Sequence, residues 1–314
     1  MDWATFFESV LSKRRSVFGQ LKSEARELQN NQLTVCRNNA CHWTDTKGRH
    51  VLLVLNMAVV SLFFIAPKMV FAQASSEELA KQLSNPVAAL ISVPFQLNYD
   101  TNIGADDSGS RWTLNIQPVI PIDLTEDWNL ISRTIVPIVS TDGIPSGGDS
   151  ETGLGDTVQS LFFSPKQPSA GGWIWGAGPV FLLPTSSNDV LGLGEWGAGV
   201  TGVALKQQGP WTFGGLANHI WDVDGDTDIS QTFVQPFVSY TTPDAWTFTF
   251  TTESTYDWEG EQWSIPVIAN VSKVVQVGSQ TVSIGGGLRY WADGPESGPE
   301  GLGARIQVTL LFPK

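Results

Sequence analysis

Cysteine is almost missing from this chain, since Cys36 and Cys41 are the two in 314 residues and both lie in the first 74. Their C-x4-C spacing has His42 beside it, but no second Cys/His pair follows, and a structural zinc site needs about four ligands. The sequence therefore predicts no metal site there. Residues 75–314 can cross an oxidising compartment without disulfide chemistry.

Basic side chains are scarce after residue 74. Residues 1–74 hold 9 of the 18 Lys+Arg and 5 of the 31 Asp+Glu, so residues 75–314 hold 9 basic and 26 acidic groups, a net of −17. Phosphate binding needs clustered Lys and Arg, so the composition argues against a nucleic-acid partner. The change near residue 74 indicates two differently made pieces.

Long apolar runs are missing as well. No stretch after Ala74 has 18 consecutive apolar residues, which excludes a helical membrane protein. The apolar run 51–66 follows a basic stretch and precedes the small-x-small pattern Ala72-Gln73-Ala74. This arrangement is typical of a Sec-type signal peptide, predicted at 47–74 with cleavage after Ala74. A retained membrane-spanning helix is the alternative.

An extension of 46 residues precedes that signal peptide, which is an unusual position for one. Apolar residues at helical spacing predict a poorly ordered or helical extension at 1–46. Either translation starts further along the chain, or the extension is part of the protein. We expect residues 75–87 to be a short periplasmic segment and residues 88–314 to form one domain.

Strict alternation of apolar and polar residues is what the rest of the chain has in abundance. In 246–256, rings at Trp246, Phe248 and Phe250 alternate with Thr247 and Thr249. Successive side chains of a strand point to opposite faces, so one face is apolar and the other polar. About twelve such segments follow one another, and we expect strands at 88–99, 111–123, 128–140, 154–164, 173–184, 195–206, 211–222, 231–241, 245–256, 263–274, 279–291 and 302–312.

The length of these strands favours a membrane protein. About ten residues suits a tilted strand that crosses a bilayer, whereas strands of globular sheets usually have five or six. Longer loops alternate with mostly tight turns, as in outer-membrane barrels. The fold class predicted is therefore all-β: a single antiparallel transmembrane β-barrel of about 12 strands, with rings facing acyl chains and threonines facing a watery lumen. A secreted β-sandwich is the soluble alternative.

Tryptophans near the predicted strand ends support the barrel. Indole prefers the membrane–water interface, so two girdles are expected. In a soluble β-protein they would instead mark the edges of the core. The eleven residues are Trp112, Trp128, Trp173, Trp175, Trp196, Trp211, Trp221, Trp246, Trp258, Trp263 and Trp291.

Arginines on inward faces of strands form the candidate site. Charges in membrane segments should face water or a partner, so we expect Arg133, Arg289 and Arg305 to line the lumen. Their candidate counterions are Glu253, Asp156 and Glu195. Such groups form a structural ion-pair lattice, set the selectivity of a pore, or do both.

Catalytic and metal chemistry find little support. The acidic loop 222–228 has its glycine at the fourth position, not the sixth that an EF-hand needs, so a solvated loop is the prediction, with a weak divalent site bridging to lipopolysaccharide as the alternative. His219 is the one histidine after residue 74, and no serine lies two residues on. We therefore expect no catalytic residues, no cofactor and no metal. Gly285-Gly286-Gly287 lies inside a strand and predicts a bend or close packing.

One family resemblance emerges in residues 76–314. The motifs that carry it are Gly153-Leu154-Gly155-Asp156, Ser164-Pro165, Trp128…Arg133…Pro137 and the terminal Leu310-Leu311-Phe312-Pro313-Lys314. The chain resembles outer-membrane transporters grouped with the phenol meta-cleavage pathway.

That resemblance implies a porin-like barrel in the Gram-negative outer membrane for uptake of small solutes, aromatic or hydrophobic ones among them. The expected partners are the solute, outer-membrane lipids and lipopolysaccharide, and the barrel-assembly machinery during biogenesis. A barrel with a structural or surface-binding role is the alternative.

Overall fold

The computed structural model describes residues 75–145, 148–224 and 228–313. The predictions for the extension 1–46, the signal peptide 47–74 and Asp226 of the acidic loop lie outside these residues. The elements are α1 Ser76–Leu83, β1 Ile91–Ile103, β2 Gly109–Ile116, β3 Val119–Asp123, β4 Trp128–Asp142, β5 Glu151–Leu154, β6 Thr157–Pro165, β7 Trp173–Leu183, β8 Trp196–Gln208, β9 Trp211–Asp224, β10 Ser230–Thr241, β11 Trp246–Thr252, β12 Ser254–Asp257, β13 Gln262–Val277, β14 Gln280–Asp293 and β15 Gly301–Phe312.

The strands form a closed antiparallel barrel. β1 pairs with β15 from Ile91↔Phe312 to Tyr99↔Ala304, so the first and last strands are neighbours. Three wall positions are built from two segments each, namely β2 with β3, β5 with β6, and β11 with β12. The 15 segments therefore make 15 − 3 = 12 wall strands, which confirms the predicted fold class.

The alternation in β11 is realised as predicted. Trp246, Phe248 and Phe250 are 42%, 49% and 56% exposed, whereas Thr247 and Thr251 are 6% and 7% exposed. The rings therefore lie on the outer surface and the hydroxyls inside. A closed barrel pairs every ladder group of its wall, and this lets an apolar outer surface lie in hydrocarbon.

The short helix α1 was not predicted, although the sequence carries its signal. Ser75 caps the helix, with Oγ accepting a hydrogen bond from the backbone N–H of Glu78 at 3.1 Å. Ser-x-x-Glu is the capping-box pattern that marks a helix start. No helix in the described residues is long and apolar enough to cross a membrane.

The helix α1 lies inside the barrel at the end where the tight turns are. Leu79 and Ala80 are 2% exposed and pack against inward-facing Val274 and Leu311. The side-chain amide of Gln207 on β8 donates to the carbonyl of Lys81 at 2.9 Å. The helix is therefore fixed to the inner wall by apolar burial and by a hydrogen bond.

A second apolar cluster lies on the inner wall around Val87, four residues after the end of α1. Val87 packs there against five buried inward-facing side chains: Ile131, Phe162, Val203, Leu205 and Leu216. Val119, Ile174, Phe233 and Phe237 border this cluster. We call these ten residues the apolar wall. The interior is therefore polar on one side and apolar on the other.

Candidate functional site: an arginine-lined lumen

Charged side chains meet inside the barrel. We call this group the lumen cluster, and it comprises Asp100, Arg111, Arg133, Glu253, Arg289 and Arg305. Four arginines against two carboxylates give the cluster a formal charge of +2, although the whole chain has a formal charge of −13. Five members occupy inward-facing positions of their strands. Glu253 lies at the break between β11 and β12.

Arg305 is the most completely satisfied member. Its Nη1 and Nη2 donate to the two oxygens of Glu253 at 2.8 and 2.7 Å, and its Nε donates to Asn98 Oδ1 at 2.7 Å. A bidentate guanidinium–carboxylate pair fixes both side chains in one geometry. This pair is consequently a rigid element of the lumen.

Asp100 is the second anionic centre, with 2% of its side chain exposed. Its Oδ1 lies 3.6 Å from Arg289 Nε and accepts a hydrogen bond from Trp291 Nε1 at 2.9 Å. Arg111 Nη2 is 4.0 Å from its Oδ2. The Arg289 guanidinium also lies over the Trp291 ring, 5.1 Å from its centroid. One carboxylate is thus shared between two arginines.

Arg133 on β4 has a different environment. Its Nη2 donates to the neutral amide oxygen of Gln117 at 3.1 Å. Among the described residues, no carboxylate oxygen lies within 4.0 Å of the Arg133 nitrogens. Arg133 is therefore the cluster's cation without a direct anionic partner in the part of the chain that the structure describes.

A cavity of about 240 Å³ lies between α1 and the lumen cluster. Arg133, Gln117, Glu253 and Arg305 line it on the polar side. Val119, Leu216 and Phe237 of the apolar wall line it too. The cavity therefore offers hydrogen-bonding groups and an apolar surface to one occupant.

A wider vestibule of about 950 Å³ opens near the connections 104–108, 258–261 and 294–300. Its charged lining residues are all acidic, namely Asp107, Asp257, Glu296 and Glu300. The charge of the interior thus changes sign between the vestibule and the lumen cluster.

Two of the predicted counterions lie elsewhere. The carboxylate of Asp156 accepts backbone N–H bonds from Ser186, Leu193 and Gly194 at 3.1, 2.6 and 3.0 Å, and so organises the connection 184–195. Glu195 lies in that same connection, just before β8. Glu253 is the predicted counterion that reaches the arginines.

Asp100, Arg111, Asn98 and Gln117 belong to the site but were not among the predicted site residues. The alternation of side chains along the strands did carry a signal. Asn98 and Asp100 lie two and four residues after inward-facing Gln96 in β1, and Arg111 lies four residues before inward-facing Asn115 in β2. Inward parity alone does not say which of many polar residues come into contact. That depends on curvature and stagger between strands far apart in the sequence.

The tryptophans lie mostly on the outside. Ten of the eleven are 37% to 55% exposed, and they occur at or near strand ends. Trp291 differs, since it faces inward like Arg289, two residues before it, and donates to Asp100.

His219 lies on the outer face with Trp221, with ring centroids 4.1 Å apart, and its Nδ1 is 2.7 Å from Thr232 Oγ1.

The apolar outer surface, the polar interior and the closure by β1 and β15 define a transmembrane β-barrel of 12 strands. In fold it is similar to an outer-membrane channel from Pseudomonas putida F1, with a TM-score of 0.56 and 13% identity over 79% of this chain and 100% of that chain. At this identity the likeness concerns the fold alone.

Two further solved structures are similar at lower scores. The NanC porin has a TM-score of 0.43 and 13% identity over 70% of this chain and 98% of that chain. The outer membrane phospholipase A from Escherichia coli has a TM-score of 0.43 and 11% identity over 77% and 99%. No protein-family model and no curated protein matches the sequence. Membership in the phenol-pathway group thus stays a prediction.

Proposed function

We propose that this protein is an outer-membrane channel for passive passage of a small solute with an aromatic or hydrophobic part. The observation that carries the proposal is the cavity of about 240 Å³ beside the lumen cluster. A barrel of about this strand number can fill its interior with side chains, whereas this interior retains space between charged groups and an apolar wall.

The proposed path runs from the acidic vestibule, past the lumen cluster, and into the cavity beside α1. Polar groups line its first part, and Leu216 and Phe237 line its inner part. Such a path would lower the free-energy cost of passage for a partly apolar solute. Its polar part could stay hydrogen-bonded while its apolar part contacts Leu216 and Phe237. No energy source is required.

The surroundings proposed for the barrel are the lipids and lipopolysaccharide of the Gram-negative outer membrane, with insertion by the barrel-assembly machinery. The support is the apolar outer belt, which the side chains of Phe248, Phe250, Leu288, Leu302 and Ile306 exemplify. Export by the predicted signal peptide 47–74 belongs to the same proposal.

An enzyme is not proposed. In the part of the chain that the structure describes, the hydrogen-bond partner of His219 is the hydroxyl of Thr232, and no carboxylate is bonded to the imidazole. A hydrolase needs a nucleophile, a base and a group that orients the base.

Ion and solute flux through the full chain in liposomes and planar bilayers tests the channel. A matched pair of variants sharpens the test, because Gln307 lines the cavity and the adjacent Ile306 is 59% exposed on the outer face. Gln307→Trp should reduce conductance severalfold, and Ile306→Trp should leave it unchanged. Equal conductance in both variants would contradict the proposed path.

A second candidate is a barrel with a structural or surface-binding role. The position of α1 favours this second candidate. The helix fills the tight-turn end of the lumen, where the buried Leu79 and Ala80 hold it, and a filled lumen does not conduct. Wild-type protein that folds in bilayers but conducts at no voltage would support this candidate over the channel.

A further inference from the structure

Arg133 differs from the other lumen arginines in what it contacts. Arg305 has Glu253, and Arg289 and Arg111 share Asp100. Arg133 has the neutral Gln117 as its hydrogen-bond acceptor among the described residues. A guanidinium carries five N–H donors in a planar fork that matches a carboxylate, whereas Arg133 has one neutral amide oxygen as its side-chain acceptor among the described residues and Glu253 acts on it only through longer-range electrostatics.

The surroundings of Arg133 are apolar on one side. In the β3–β4 ladder it is directly opposite Val119, which belongs to the apolar wall. Leu216 and Phe237 of that wall line the same cavity as the Arg133 guanidinium. A ligand that satisfies Arg133 would therefore place its other end against aliphatic and aromatic carbon.

We propose that Arg133 recognises the carboxylate of a small aromatic acid. The carboxylate accepts two N–H bonds from the Arg133 fork while the ring packs on Leu216 and Phe237. This inference deepens the proposed function, on which it rests, by assigning an anionic group to the solute. It involves no covalent step.

The acidic vestibule refines this inference. Asp107, Asp257, Glu296 and Glu300 repel anions before they reach the positively charged lumen cluster. That repulsion acts through water, is screened over about 8 Å at physiological salt and rises with the charge of the solute. The vestibule therefore favours monoanions such as benzoate over aromatic dicarboxylates.

Binding to the detergent-solubilised full chain tests the inference independently of transport. Sodium benzoate is titrated by calorimetry beside benzamide, its neutral counterpart, and sodium acetate, which lacks the ring. Benzoate should bind about tenfold more tightly than either. Benzamide loses the charge-assisted hydrogen bond and acetate loses the burial of the ring, and each of these contributes about a factor of ten to the dissociation constant.

The variants isolate the guanidinium. Arg133→Gln should abolish the preference for benzoate over benzamide, and Arg133→Lys, which keeps the charge without the fork, should retain part of it. Lys206→Gln removes a cation from the outer face of β8 and should change nothing. Gel shift of unboiled samples verifies that each barrel is folded.

Each outcome bears on one claim. An unchanged benzoate preference in folded Arg133→Gln, or no preference in wild type, overturns the assignment of Arg133. Benzoate binding that depends on Arg133 in a barrel without conductance supports the assignment and refutes the channel. Tighter binding of phthalate than of benzoate overturns the monoanion inference.

Discussion

Arg305 and Glu253 form a bidentate ion pair at 2.8 and 2.7 Å across the lumen. Arg305 lies on β15 and Glu253 lies between β11 and β12, so β13 and β14 separate them along the wall. The pair therefore spans the interior of the barrel and is not a contact between neighbouring strands. It crosses the interior and connects two distant parts of the barrel wall.

Removing the acid from this pair should change both selectivity and stability. Glu253→Gln leaves Arg305 without its carboxylate and raises the charge of the lumen cluster from +2 to +3. We expect a reversal potential shifted towards anions, and a loss of about 2 kcal/mol in the free energy of unfolding, since hydrogen bonds to charged groups contribute on this scale.

The double variant Glu253→Gln/Arg305→Gln is the control, because it returns the cluster to +2. Its reversal potential in a KCl gradient should match wild type. A Glu253→Gln channel with wild-type selectivity would show that the pair does not control the ions that pass.

A charge on the outer face should be penalised by its depth in the membrane. Phe250 lies in the middle of its wall strand and is 56% exposed, whereas Trp246 begins the strand. A Lys costs about 2–4 kcal/mol at the bilayer midplane and about 0–1 kcal/mol near the interface. Phe250→Lys should therefore fold into liposomes far less completely than Trp246→Lys, as a gel-shift assay would measure. Equal folding of the two would place this face away from lipid.

Loosening α1 should open the tight-turn end of the barrel. Leu79 is 2% exposed against Val274 and Leu311, and truncation of a buried leucine typically costs 2–5 kcal/mol. Leu79→Ala should raise the mean conductance, because the helix leaves its site more often. Ser76→Ala changes an exposed residue of the same helix and serves as the control. Single-channel recording distinguishes them, and identical traces would mean that α1 does not limit the current.

The glycine run in β14 should tolerate alanine unevenly. A Cβ at Gly287 would lie 2.3 Å from the carbonyl oxygen of Ala269 on β13, whereas one at Gly286 would meet its nearest atom, the Arg305 oxygen, at 3.3 Å. Overpacking costs about 1–3 kcal/mol. Gly287→Ala should lower the urea midpoint of unfolding and Gly286→Ala should change it little. The opposite order would contradict close packing of β13 on β14.

The strands were predictable because a bilayer imposes the same alternation on every wall segment. The predicted strand 263–274 corresponds to β13 and 279–291 to β14, within a few residues. The interruptions were harder to foresee. The predicted strand 111–123 breaks at Gln117-Pro118, where Pro118 cannot donate to the ladder, and 154–164 breaks at Gly155-Asp156.

The lumen cluster was only partly predictable, because alternation along a strand shows which way a side chain faces but not which side chain it meets. Periodicity indicates that Arg133, Arg289 and Arg305 face inward, but it contains no information on partners across the lumen. Glu253 was one of three candidate counterions, and Asp100 was not among them. Which inward groups meet follows from the stagger of strands that are distant in sequence.

The ladder between β1 and β15 is a seam that joins the two extremes of the barrel domain. Until β15 is in place, β1 and β14 each present a row of unpaired backbone N–H and C=O groups, which hydrocarbon cannot satisfy. A barrel without β15 would therefore keep two open edges, so the ladder between β1 and β15 is a condition for a closed wall in hydrocarbon.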